Sequence, residues 1–163
     1  MKTLATAFIL GGCLLAGAAH AQDWKQSIKD AAKQQANAKM ESTLGLAKAA
    51  PAGASVYIIN LKNGATVSNP VLVQFGLKGA GVAPAGTQGD TIGHHHLLID
   101  EPTYDVLQPL PATEQIKHFG GGQTETTLTL KPGKHTLQLL FADWKHQSFN
   151  PALLSEKITI TVK

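Results

Sequence analysis

The sequence contains no arginine: all 14 of its basic residues are lysine. Arginine supplies the planar fork that grips phosphates, guanine edges and buried carboxylates. Without it, and with lysines scattered rather than gathered in a stripe, no nucleic-acid partner is expected. The pI near 9.0 therefore identifies no partner. Cysteine occurs once, at Cys13, inside an apolar leader. Beyond the leader there is no disulfide, no thiolate nucleophile and no cysteine-based zinc site. Charged residues make up 15% of the chain and aromatics 6%. Such a chain must be held by its core, and about 140 residues suffice for one.

Glycine (16) and proline (8) are what the sequence has in quantity. Together with the low charge they indicate short strands joined by tight turns. The chain starts with Lys2, an uncharged and mostly apolar stretch from Thr3 to Ala18, and Ala19-His20-Ala21 before polar Gln22-Asp23. This is the pattern of a secretory signal peptide over 1–21, cleaved before Gln22. It implies a periplasmic or secreted protein with no transmembrane segment after cleavage. Loss of Lys2 takes the net charge from +3 to +2. Leu10-Gly11-Gly12-Cys13 is a weaker alternative, a lipoprotein box modified at Cys13.

Residues 22–53 read as a short helical segment and linker. Trp24, Ile28, Ala31 and Gln35 follow helical spacing, Asp23 can cap the start, and Gly45, Pro51 and Gly53 interrupt the pattern. The apolar stripe is thin, so such a helix is marginal by itself. From residue 54 to 163 the period becomes two. Val56–Ile59, Val71–Leu77, His94–Ile99, Thr124–Leu130, His135–Phe141 and Lys157–Val162 read as strands, with Asn63-Gly64 and Lys131-Pro132-Gly133-Lys134 as turns. Two long loops, 79–93 and 101–122, lie between them. The expected fold is all-β, an antiparallel immunoglobulin-like sandwich without the Cys-Trp-Cys signature of true immunoglobulin domains.

Chemistry concentrates in six histidines after the leader: His94, His95, His96, His118, His135 and His146. On a strand, alternate residues share a face, so His94 and His96 project together, about 6 to 7 Å apart. His95 then shares the opposite face with Leu97 and Ile99 and reads as a hydrogen-bonded core residue, and His135 heads an apolar face in the same way. His94 and His96, with His118 and His146 from strand ends, form a candidate site for copper or zinc, since imidazole suits both. Asp100 and Asp143 are further candidates. The competing reading is a structural network in which the histidines brace the long loops.

Phe119-Gly120-Gly121-Gly122 is glycine-rich but lacks the Gly-Lys-Ser/Thr of a phosphate loop, so its glycines are expected to allow close packing or positive φ. Ser148 and Ser155 sit in no nucleophile-elbow motif. No enzyme is expected. A module binding a protein or an envelope glycan through its long loops is the alternative to a metal-binding domain.

Four segments carry a resemblance. They are Asn63-Gly64-Ala65-Thr66-Val67-Ser68-Asn69-Pro70-Val71, Gly93-His94-His95-His96-Leu97-Leu98-Ile99-Asp100, His118-Phe119-Gly120-Gly121-Gly122-Gln123-Thr124-Glu125, and Leu130 to Leu139 followed by Asp143 and His146. From about Val56 to Val162 the chain resembles the bacterial domain-of-unknown-function family numbered 4399. The resemblance implies a periplasmic β-domain and no particular activity.

Overall fold

A computed structural model describes residues 24–30, 32, 33, 36, 47–105 and 108–163. The expected signal peptide, Cys13 and the cap Asp23 lie outside them. The chain forms two units, Met1–Lys39 and Met40–Lys163. In the first, residues 24–30 are helical, and Trp24 and Ile28 are exposed. No described helix is long and apolar enough to cross a membrane.

The described residues of the second unit form ten strands. These are β1 (Ser55–Ile58), β2 (Thr66–Val67), β3 (Val71–Lys78), β4 (Gly81–Val82), β5 (Ile92–Ile99), β6 (Ile116–His118), β7 (Glu125–Leu128), β8 (Gly133–Ala142), β9 (Ser148–Leu154) and β10 (Ile158–Val162). One sheet has the order β1-β3-β7. The other has the order β2-β10-β8-β5-β4, with β6 also on β5 and β9 also on β8. The expected all-β sandwich is present. Its main pairings are antiparallel, and two-residue parallel pairs, β2 with β10 and β4 with β5, make the larger sheet mixed.

Alternation explains the layers. In β3, Val71, Val73 and Phe75 are buried while Leu72 is exposed. They meet Leu97 and Ile99 of β5, Leu137, Leu139 and Phe141 of β8, and Ile158, Ile160 and Val162 of β10 in one core. Burying each such large side chain contributes about 1.5–3 kcal/mol. The other face of the large sheet is also covered. Leu98, Leu140 and Ala142 pack there with Leu110 and Ile116 in a second, smaller cluster. This is why β5 is buried almost throughout. The two faces of β5 thus serve two different environments.

Two irregular features matter for the ends of these strands. Between β9 and β10, Ser155 donates its hydroxyl to the Glu156 carbonyl and accepts the Leu139 N–H at 2.9 Å, which fills a gap in the ladder of β8. Asn150 exchanges main-chain hydrogen bonds with Lys48 and Ala50, at 2.7 and 3.2 Å, so residues 48–50 are tied to β9. Lys48 also reaches the Gly89 carbonyl at 2.9 Å and pins the loop before β5.

Candidate metal centre

β5 places His94 and His96 on the face away from the main core. β6 pairs with β5 so that His118 lies directly opposite His96. Cross-strand partners on one face have Cβ atoms about 4.5–5.5 Å apart, so His118 joins the pair by register alone. On the other flank of β5, β8 ends opposite His94, at Ala142. The chain then turns through Asp143, Trp144, Lys145 and His146 and returns as β9.

That turn aims His146. Asp143 is buried, and its Oδ1 accepts the N–H groups of Lys145 and Gln147 at 2.8 and 2.9 Å. Its main chain bonds His146 and Gln147 as well. His146 adopts φ +66°, a left-handed conformation uncommon for a residue with a side chain. The His146 carbonyl accepts the Leu110 N–H at 2.9 Å, which ties down the loop after β5. Asp143→Ala removes the acceptor of two main-chain donors, one of them fully buried. It should lower stability by about 2 kcal/mol or more in denaturant titration. An unchanged midpoint would show that the turn holds without the carboxylate.

Four imidazoles meet as a result. His94 and His96 approach Nε2 to Nε2 at 3.2 Å, and His118 and His146 at 3.1 Å. Ring centroids of His94 lie 5.0 Å from His118 and 4.9 Å from His146. Nitrogens of His94, His96 and His118 all fall within 4.8 Å of one another and can hold one ion. His94 and His96 are fully buried, whereas His118 is exposed and His146 half-buried. The site is therefore open on one side and closed by the sheet on the other.

The electrostatics favour neutral rings. Burial lowers the pKa of His94 from 6.5 to about 4, helped by His146, His118 and His95. Burial lowers that of His96 to about 2, with the same neighbours and His94 adding to it. His118 is lowered by its partial burial and by His146. In a pair of neutral imidazoles one Nε2 donates and the other accepts. Nδ1 of His94 and of His96 is buried with no hydrogen-bond partner. Metal-bound histidines usually donate that N–H to a fixed acceptor. Here the ring orientation of His94 and His96 comes from burial and ring-to-ring packing instead.

A model of the family described as Domain of unknown function (DUF4399) matches residues 73–163, more than half of the chain. The chain belongs to the DUF4399 family. Comparison with curated proteins and with solved structures gave no match. The matched stretch of the DUF4399 domain runs from within β3 to the end of β10 and contains all four converging histidines.

The other sequence candidates lie elsewhere. His95 is in the main core, against Phe75 and Phe141 at 5.2 Å each, as the alternation predicts. The expected hydrogen bonds are missing: neither ring nitrogen has a partner. The Gln123 main chain lies close enough to favour the protonated ring, but burial dominates and lowers the pKa to about 4. Phe75 and Phe141 supply no acceptor, which leaves the Gln123 main chain as the polar group acting on the ring. His135 and Asp100 form a separate pair, Nδ1 to Oδ2 at 2.9 Å, while His135 Nε2 meets the Lys131 carbonyl. The antiparallel register of β5 and β8 sets Ile99 opposite Leu137 and His94 opposite Ala142. It sends His135 and Asp100 to the far end of the sheet, so they cannot complete the cluster. Asp143 stands beside it, and its Oδ1 is committed to main-chain donors. Ser148 donates to the Phe149 carbonyl and Ser155 to that of Glu156.

Proposed function

We propose that this DUF4399 domain binds one divalent transition-metal ion, copper(II) or zinc, through His94, His96, His118 and His146. The observation that carries the reading is the pair of Nε2–Nε2 approaches at 3.2 and 3.1 Å. With metal–nitrogen bonds of about 2.0–2.1 Å, adjacent ligands around one ion sit roughly 2.9 Å apart in a square plane and 3.3–3.4 Å apart in a tetrahedron. Both observed separations fall in that interval. Copper(II) should bind more tightly than zinc by the usual order for nitrogen ligands. The domain is a binder in this reading, and Asp143, the carboxylate beside the imidazoles, has its Oδ1 engaged by main-chain donors. The signal-peptide pattern of residues 1–21 supports a location outside the cytoplasm.

Calorimetric titration of tag-free protein with copper(II) and with zinc tests it. One saturable site per chain, tighter than about 10 μM, is expected. The double variant H94Q/H96Q should lose that site. Absence of saturable binding in the wild type would leave the rival reading, in which the four rings only brace the loops around β5 and β6.

A further inference from the structure

The glycine run after β6 has a member whose role lies in the site. A Cβ built on Gly120 would collide with Cε1 of the His118 ring and lie 2.5 Å from its Nε2. The next nearest atom, Cβ of Ala85, would be 3.3 Å away. Gly120 has no positive φ, unlike Gly122 at +80°. Alanine is therefore conformationally acceptable at 120, and the severe obstacle is the imidazole, while the Ala85 methyl has only a few tenths of an ångström to give. That ring belongs to an exposed side chain and can swing outward at little expense to the fold. The Gly120 main chain is fixed meanwhile, since its carbonyl accepts the Ala85 N–H at 2.8 Å. Ring and main chain cannot both keep their places once a side chain appears at 120.

We infer that Gly120 is the positioning residue of the centre: the space left by its missing side chain holds the His118 imidazole against His146. The inference rests on the quartet being a metal site only for its effect on affinity. The ring position itself is a property of the metal-free protein. The functional consequence is that glycine at 120 keeps the His118 imidazole within reach of an ion held by His94 and His96.

The test compares wild type, Gly120→Ala and His118→Ala. In the metal-free proteins, NMR should show contacts between ring protons of His118 and His146 in the wild type and their loss in Gly120→Ala, with the thermal midpoint unchanged. Copper(II) affinity of Gly120→Ala should fall about 10- to 100-fold, the range for losing a group that orients a ligand, and should match that of His118→Ala. The nitrogen hyperfine pattern of bound copper should change in the same way in both variants. Retained ring contacts, wild-type affinity in Gly120→Ala, or unfolding of that variant would each overturn the inference. Failure of the wild type to bind copper would overturn the metal reading and leave the ring contacts to decide the role of Gly120.

Discussion

Gly93→Ala should lower the stability of the β-domain by about 3 kcal/mol or more, enough to remove a large part of the 5–15 kcal/mol typical of a domain. A Cβ at 93 would fall well inside contact distance of the Ala142 carbonyl oxygen and 3.0 Å from the Phe141 ring. Neither neighbour can retreat. Phe141 is fully buried in the main core, and Ala142 is held by its ladder with β5. Overpacking against flexible groups costs about 1–3 kcal/mol, and a rigid main-chain oxygen puts this site at the upper end of that range or above it. The contrast with Gly120→Ala is the point of the comparison: one methyl group meets a fixed carbonyl, the other a movable ring. Denaturant titration of the two variants side by side measures it. A loss below about 1 kcal/mol for Gly93→Ala would mean that β5 and β8 can separate at this end.

Metal-free protein should lose several kcal/mol of stability between pH 7 and pH 5. Burial lowers His94 and His95 to about 4 and His96 to about 2 from an unfolded value of 6.5. The unfolded chain therefore takes up protons first as pH falls below 6.5, while the folded chain does not. Stability is full above 6.5 and declines down to about 4 for His94 and His95, and further for His96. Over the 1.5 units from 6.5 to 5, each ring contributes about 2 kcal/mol to that decline. His135 works in the opposite sense, because the Lys131 carbonyl and Asp100 raise its pKa. It lies near the surface, where such a pair is worth about 1 kcal/mol or less. The net slope is toward acid unfolding. Thermal unfolding in chelator at pH 7, 6 and 5 checks it, and a flat profile would show that water or another group satisfies the buried rings. Replacing His95 by leucine should flatten part of the slope and leave metal affinity intact.

The parts of the fold legible in the sequence are those where one face is buried and the other is not. Val71, Val73 and Phe75 announce β3, and Leu137, Leu139 and Phe141 announce β8. The same alternation separates His95 from His94 and His96 before any pairing is known. β2, β4 and β6 were not legible, because two or three residues carry no period. β9 was hidden by Asn150-Pro151 at its middle. Convergence of His118 and His146 on His94 and His96 follows from register and from a turn. Only the neighbouring strand ends hinted at it. The exclusion of His135 depends wholly on which end of β8 meets which end of β5, and local sequence does not encode that. Gly120 could be recognised as a packing glycine, but its neighbour could not be named until β6 was placed opposite β5.

The double duty of β5 has one more consequence. A strand that slips by one residue exchanges its two faces. In β5 such a slip would thrust His94 and His96 among the phenylalanines and carry His95 and Leu97 out to the face of His118 and His146. A sheet in which β5 is misregistered by one residue therefore cannot present the quartet. Occupancy by copper or zinc would act as a proofreading signal, read only by chains whose strands have been zipped in the native frame. The ion would stabilise that frame selectively, by mass action, over every compact alternative.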